Sequence, residues 1–371
     1  MIAACWILAL AAAPQEADPA ARVEALRRAA AALGAGGKHG EAVSTLRRAV
    51  GIPEPPPADR EVLSRFVEAR AEAQWELAET LYAGGAYAEA LSAYGESRDK
   101  YPRRSLMVSP CGKVGAVARF EASLGEARCL ECLGRHGEAV RAYLSMIYGD
   151  DTLAVWWDPG VCFRLVDLYE SAGQAGDLRA ILEEKDRAFV KRRVEEGKGW
   201  ISESEASQDA PGRVARRVME LRAWGGEGRW AALADLAAGA PAKLDGFGPA
   251  YWEAAETCRI LARRPDAAVP LLRQKLRGDC PWICFALGLC GTREAVDAVV
   301  EWARGVKDPA RIVSLVCALR LGGPAGKAAA GELERQAPED VKEMLRREPE
   351  VPRPRFGFPP LLKGIRLPAK I

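Results

Sequence analysis

The sequence predicts an all-α fold, built as an α-solenoid of antiparallel helix pairs. A seven-residue motif that begins at Gly37 recurs in similar form at Gly85 and at Gly134, and each copy has the form of a helix end, a tight turn and the start of a second helix. Such a helix pair cannot bury its apolar face alone, so we expect the pairs to stack on one another. Ala and Leu dominate and runs of β-branched residues are scarce, which favours helix.

Length and charge limit the class of protein and its partners. The 371 residues exceed the usual size of one globular core, a limit that a solenoid escapes because each repeat contacts only its neighbours. There are 53 Lys and Arg residues against 51 Asp and Glu residues. A net charge this close to zero gives no general attraction to nucleic acid or to an anionic membrane, so we expect no nucleic-acid partner.

Residues 1–15 form an uninterrupted apolar stretch that closes on small residues, with a polar segment behind it. This pattern predicts a signal peptide, and therefore export to the periplasm or the extracellular space. The stretch is too short to span a bilayer, so we expect no stable membrane insertion once the leader is removed. The alternative is an apolar first helix of a cytoplasmic protein, because no Lys or Arg precedes the run and Pro14 hampers cleavage after Ala13.

The second copy of the motif has the fullest pattern. Counted from Ala71, its apolar, small and aromatic positions are Leu77, Ala78, Leu81, Gly85, Tyr87, Ala90 and Tyr94, and it closes at Tyr101-Pro102. This stretch resembles the tetratricopeptide repeat (TPR). The resemblance implies that Ala78 and Ala90 let the two helices approach closely and that Gly85 ends the first helix. It also implies that Tyr87 and Tyr94 fill the gap to the next helix.

Three further windows resemble the same repeat and turn at Gly37, Gly134 and Gly173. The four turn glycines are separated by 48, 49 and 39 residues, whereas the period of the family is about 34. Each junction therefore carries an insertion, and these include a Pro-rich stretch at 51–57, residues 109–112 and a segment with Trp156-Trp157. We expect a TPR-like solenoid with long insertions over residues 16–201.

The polar stretch 202–212 predicts a domain boundary, after which helical pairs resume. Residues 213–348 have the pattern of degenerate TPR-like pairs, and the last of them resemble the short, Ala- and Leu-rich HEAT-type repeat. The tail, residues 349–371, is rich in Pro and basic side chains and has no helical period. It is either extended over the solenoid or disordered.

Cysteine usage gives no metal site. Cys129 and Cys132 form a single C-x-x-C pair, whereas zinc needs four ligands, and Cys280, Cys284 and Cys290 are irregularly spaced with no nearby histidine. We predict that the helical cysteines are small, buried apolar residues; they are Cys129, Cys132, Cys162, Cys258, Cys284, Cys290 and Cys317. Free cysteines favour a cytoplasmic protein, because an exported one is expected to pair them.

No catalytic or cofactor-binding residues are predicted. The two histidines, His39 and His136, both replace the aromatic residue beside a turn glycine, where packing is the expected role. The sequence contains no recognised nucleophile elbow, zinc-protease motif or phosphate-binding loop. We therefore expect neither an enzyme nor a cofactor.

The resemblance to TPR proteins implies a partner-binding surface, because the first helix of each repeat lines the concave face in that family. The implied residues are Glu72, Trp75, Glu79, Tyr82, Glu121, Arg128, Glu131, Phe163, Asp167 and Glu170. Acidic residues outnumber basic ones, with aromatics between them, which favours a protein or peptide of basic or mixed charge. The alternative is a solvated face with no ligand. Exposed aromatic residues are poor choices for such a face, so Trp75 and Tyr82 favour a partner.

These patterns together predict a non-catalytic scaffold that binds a protein or peptide. The Tyr101-Pro102 close is similar to repeats in bacterial cell-envelope assembly factors, which suggests a role of that kind. Two alternatives stay open: a cytoplasmic adaptor or regulator of the same fold, and an enzyme whose site is built from unrecognised carboxylates.

Overall fold

A computed structural model describes residues 18–56, 60–101, 116–149, 160–197, 202–208, 210–240, 249–276, 281–306, 308–347, 359–361 and 365–369. Every regular element in these ranges is an α-helix, which confirms the all-α class. Four features predicted from the sequence lie outside the described residues: the leader at 1–15, the insertion at 109–112, Trp156-Trp157 and Cys280.

The chain divides into two compact units, and the first comprises residues 1–154, 171–174 and 358–371. Its helices are α1 (Pro19–Ala35), α2 (His39–Val50), α3 (Arg60–Ala83), α4 (Tyr87–Asp99), α5 (Ala116–Cys132) and α6 (His136–Tyr148). Each helix packs against the next one along the chain, α1 also contacts α3, and α3 also contacts α5. At the start of α1, the Asp18 side chain accepts a hydrogen bond from the amide of Ala20 at 3.0 Å and caps the helix.

The turns of this unit confirm the predicted glycine positions. Gly37, Gly85 and Gly134 have φ values of 74°, 78° and 72°, in the left-handed region that favours glycine. After Gly85, the Ala86 amide donates back to the Leu81 carbonyl at 2.9 Å, and the same bond closes the other two turns. This is the hydrogen-bonding pattern of a Schellman motif, which satisfies the last carbonyls of a helix.

The core between these helices is built from alanines and large rings. Ala78, Ala90 and Ala139 have no exposed surface, as predicted for positions where paired helices touch. Tyr94 and Tyr143, nine residues after their turn glycines, are also fully buried. The large rings therefore fill the space between successive helix pairs, and the alanines keep the helices within each pair close together.

The second unit comprises residues 155–170 and 175–357. Its helices are α7 (Gly160–Ser171), of which the last residue counts with the first unit, α8 (Ala175–Glu196), α9 (Glu203–Gln208), α10 (Gly212–Gly226), α11 (Trp230–Gly239), α12 (Pro249–Ala262), α13 (Pro265–Lys275), α14 (Pro281–Cys290), α15 (Arg293–Ala303), α16 (Pro309–Arg320), α17 (Gly323–Gln336) and α18 (Glu339–Arg347). Alternate helices contact one another in two series. One series runs through α10, α12, α14, α16 and α18, and the other through α11, α13, α15 and α17.

The polar stretch 202–212, predicted as a boundary, lies inside the second unit. It forms the short helix α9, which packs on α8. The buried carboxylate of Asp186 on α8 accepts a hydrogen bond from the amide of Gly212 at 3.0 Å and pairs with Arg216 at 2.7 Å. These contacts tie the polar segment to α8.

The described parts of the tail form no helix or strand. Residues 365–369 belong to the first unit, and Leu367 is buried with only 4% of its surface exposed. In the part of the chain that the structure describes, no helix combines the length and the apolarity needed to cross a bilayer.

Candidate functional site

Seven of the ten predicted surface residues lie in the first unit, and Phe163, Asp167 and Glu170 lie in the second. In the first unit, Trp75 and Tyr82 occupy one face of α3 two turns apart. Both side chains are half-buried, which corrects the expectation that they are exposed. Trp75 packs edge-on against Tyr94 with ring centres 5.5 Å apart, and Tyr82 makes the same contact with Tyr87 at 5.5 Å.

A polar chain links three helices beneath these rings. The hydroxyl of Tyr94 on α4 donates to the carboxylate of Glu79 on α3, and Arg128 on α5 stands 3.7 Å from the same carboxylate. The Arg128 guanidinium also lies 4.1 Å from the centre of the Tyr82 ring. Burial and the charge of Glu79 raise the pKa of Tyr94, so its hydroxyl stays protonated and remains a donor.

Arg128 and Glu131 differ most from the predicted surface. Their exposed fractions are 5% and 4%, so both are buried, and Glu131 accepts a hydrogen bond from the hydroxyl of buried Tyr143. The resemblance to TPR proteins implied that both residues lie on the face of α5 that points towards a partner. The tyrosines reach these charged groups because each ring crosses from the second helix of its pair, so part of the predicted surface is internal.

Arg27 on α1 forms ion pairs with several carboxylates. Its guanidinium holds Glu76 with two hydrogen bonds of 2.6 and 3.1 Å, holds Glu24 at 2.6 Å, and stands 3.9 Å from Glu72. Burial lowers the pKa of Arg27, but the hydrogen bonds and charges of Glu76 and Glu24 raise it more. Of these carboxylates only Glu72 is a predicted surface residue, and it is the farthest of the three from the guanidinium. Glu121, the remaining predicted residue in this unit, is half-buried on α5.

In the second unit, Asp167 and Glu170 both bind one buried arginine. Arg222 on α10 donates to Asp167 at 2.7 Å, to Glu170 at 2.8 Å and to Glu256 on α12 at 2.8 Å. Burial lowers the pKa of Arg222, whereas the charges of Glu256 and Asp167 raise it well above its ordinary value. Arg222 therefore stays charged and joins three helices of this unit.

The third predicted residue of this unit, Phe163, takes part in an aromatic contact. Its ring centre is 6.2 Å from that of Trp252 on α12, and the guanidinium of Arg259 lies 5.7 Å from the Phe163 ring. Arg259 also reaches Glu256 at 3.4 Å. Phe163, Asp167 and Glu170 thus line one side of α7, and α10 and α12 supply their partners.

No pattern in the sequence indicates that Arg27 and Arg222 bind carboxylates on distant helices of these faces. Arg222 is 55 residues from Asp167, and Arg27 is 49 residues from Glu76. Helical spacing identifies residues on the same face of one helix, but it cannot identify which side chain of another helix will reach them. The acidic character predicted for the surface came from reading each helix alone.

The cysteines behave as the sequence predicts, except in their degree of burial. Cys129, Cys162, Cys258 and Cys284 are buried, Cys132, Cys290 and Cys317 are half-buried, and the structure shows all seven as thiols outside disulfide bonds. Among the described residues, no three His, Cys, Asp or Glu side chains are grouped as a metal site would require. His39 is exposed and His136 half-buried, each at the first position of its helix.

No protein-family model, no curated protein and no solved structure matches this chain. A function for the two faces described above is therefore inferred from their geometry. Each presents half-buried aromatic rings beside carboxylates that are held by arginine or tyrosine.

Proposed function

We propose that this protein is a non-catalytic α-solenoid of the TPR type that binds a protein or peptide on the face of α3 and α5. The observation that carries the proposal is the position of Trp75 and Tyr82. Both residues are half-buried on the same face of α3, and each ring makes an edge-to-face contact with a tyrosine and keeps part of its surface in solvent. Aromatic residues held in this way are the usual anchors of protein interfaces.

The helix contacts support the solenoid arrangement. Neighbouring helices pair through fully buried alanines, and alternate helices contact one another in both units, as stacked helix pairs require. Turn glycines with positive φ recur at Gly37, Gly85, Gly134 and Gly173. They come at the point where a TPR-type pair changes from its first helix to its second.

The pairing of the carboxylates supports binding over catalysis. Glu79 and Glu131 accept hydrogen bonds from tyrosine hydroxyls, and Asp167 and Glu256 are bound by Arg222. A general base needs a carboxylate that is free to reach a substrate proton. These carboxylates instead hold neighbouring helices together and leave the aromatic rings as the groups that a partner meets.

The charge expected of a partner follows from the acids that remain on the surface. Glu72 is partly exposed on the same face as Trp75, and it stands 3.9 Å from the guanidinium of Arg27, which also binds Glu24 and Glu76. A peptide of basic or mixed charge would complement this face. Its charged groups would set the association rate, and the aromatic anchors would set most of the affinity.

Affinity measurements with an array of peptides of basic, mixed and acidic composition test the proposal. We expect the tightest peptides to be basic or mixed, and Trp75→Ala to weaken them at least ~30-fold, which corresponds to about 2 kcal/mol. Trp302→Ala is the matched control, because Trp302 is also half-buried but lies on α15 in the other unit. Equal affinity for Trp75→Ala and the wild type would place the binding surface elsewhere.

A further inference from the structure

The side chain of Gln174 binds the main chain of the tail segment 365–369. The amide nitrogen Nε2 of Gln174 donates to the carbonyl of Leu367 at 3.0 Å, and the amide of Leu367 donates to Oε1 of Gln174 at 2.8 Å. One glutamine thus satisfies both main-chain groups of one residue, as a neighbouring β-strand would. Recognition of this kind depends on an extended backbone and on no particular side chain.

The side chains of the segment alternate in the manner of a bound peptide. Leu367 is 4% exposed, whereas its neighbour Arg366 is exposed. The next residue, Pro368, lies over the first turn of α6, where its Cγ stands 3.6 Å from the position that a Cβ on Gly137 would occupy. The contact therefore recognises two features of the bound segment, which are a buried aliphatic side chain and the proline that follows it.

Among the residues that directly follow the four predicted turn glycines, Gln174 is the one whose side chain can make both hydrogen bonds of this contact. It directly follows the turn glycine Gly173, and the corresponding residues after the other three turn glycines are Lys38, Ala86 and Arg135. Lysine and arginine only donate hydrogen bonds and alanine does neither, whereas glutamine both donates and accepts. The fourth turn therefore differs from the other three in its ability to pair with a peptide backbone.

We propose that Gln174 and the first turn of α6 form a peptide-recognition site that the tail occupies in cis. Its ligand in trans is an extended segment in which an aliphatic residue is followed directly by proline. The site is separate from the face of α3 and α5, so it does not depend on the function proposed above. Two hydrogen bonds between neutral groups and one buried leucine form a small contact. The tail therefore holds the site mainly because its attachment raises its local concentration.

Fluorescence anisotropy with a labelled peptide of the sequence of residues 359–371 tests the site in the full-length protein. We expect Leu367→Asp in the protein to release its own tail, and the peptide to bind this variant at least ~10-fold more tightly than the wild type. Adding Gln174→Ala to Leu367→Asp should weaken peptide binding ~10-fold or more. Leu361→Asp is the matched control, because Leu361 is on the same tail and 43% exposed, and this variant should bind like the wild type.

Equal peptide affinity for the wild type and Leu367→Asp would overturn the proposal, as would an unchanged affinity on adding Gln174→Ala. A second measurement needs no variant. An excess of unlabelled peptide should speed hydrogen exchange at the Leu367 amide of the wild type, and unchanged exchange would contradict a displaceable tail. A wild-type dimer that Leu367→Asp converts to a monomer would show that the segment is seated on a second copy, which would also overturn the cis arrangement.

Discussion

The ring of Tyr94 lies flat over Gly125, and a Cβ on Gly125 would stand 2.4 Å from Cε1 of that ring. Tyr94 is on α4 and Gly125 on α5, so the contact sets how closely the second helix pair approaches the third. The ring is fully buried and its hydroxyl is fixed by Glu79, so it has little freedom to move away.

Gly125→Ala should therefore destabilise the protein, although alanine is the better helix former. Overpacking of a closed core costs about 1–3 kcal/mol, which outweighs a gain in helix propensity of about 0.5–1 kcal/mol. Urea denaturation of the variant measures the difference. Gly34→Ala is the control, because a Cβ at this helical glycine meets no atom within 4 Å. It should leave the midpoint unchanged or raise it, and a similar rise for Gly125→Ala would contradict the contact with Tyr94.

Ala90→Leu should also destabilise the protein, because Ala90 has no exposed surface at the junction of α3 and α4. The added atoms have no space between the paired helices, and the expected cost is about 1–3 kcal/mol. Ala139→Leu should have the same effect at the junction of α5 and α6. Ala88→Leu provides the comparison, since Ala88 is exposed on the same helix as Ala90. Equal melting temperatures for Ala88→Leu and Ala90→Leu would contradict the packing of α3 against α4 at Ala90.

Arg222→Ala should be among the most damaging substitutions in the second unit. Among the described residues, it leaves the carboxylate of Glu256, which is 2% exposed, with only the longer contact to Arg259. Removing one partner of a buried ion pair typically costs about 3–5 kcal/mol. Arg264→Ala breaks an exposed pair with Asp266 and should change the unfolding midpoint little. Comparable midpoints for the two variants in guanidinium titrations would show that Arg222 contributes no more than a surface arginine.

The thiol groups should be protected in the native protein. Burial raises the pKa of Cys129 to about 12 and that of Cys290 to about 11, against an ordinary value of 9.0. Near pH 8 both groups are thiols, and only thiolates react rapidly with iodoacetamide. Mass spectrometry should find Cys129 modified far more slowly than Cys132, which is half-buried on the same helix, and modified readily after unfolding. Rapid native modification of Cys129 would contradict its burial.

The same pKa shifts predict the direction of a stability change with pH. The folded-state pKa of Cys290 lies above its unfolded value, so the stabilisation from the neutral thiol is complete below about pH 9 and declines as the pH rises towards about 11. Between about pH 8 and about pH 10, the wild type should therefore lose more stability than Cys290→Ala. Denaturation midpoints at the two pH values measure this, and parallel losses would contradict the shift.

The turns and the helix junctions of this protein were predictable because their causes are local. A helix that ends on a left-handed residue favours glycine, so Gly85 and Gly134 are visible in the sequence as turn positions. The burial of Ala78 and Ala90 follows from the same spacing. These features need only the 3.6-residue period of a helix and the residue types that end it.

The contacts between distant parts of the chain were not predictable from that period. Nothing in the pattern near Glu131 indicates that the Tyr143 hydroxyl binds it. No spacing distinguishes Gly125 either, because its role is to leave room for a ring from another helix. The partner of Leu367 is 193 residues away. In each case the determining interaction depends on how separate helices pack, which the spacing within one helix does not contain.

The pairing of Gln174 with Leu367 also determines when the first unit can complete its folding during synthesis. Translation adds roughly 5–20 residues per second, so the 193 residues between these two partners take roughly 10–40 s to make. Helices α1 to α6 precede Gln174 in the chain, so they emerge from the ribosome before this interval begins. A nascent chain therefore presents Gln174 uncovered throughout this interval, and the contact can close only after Leu367 has been made.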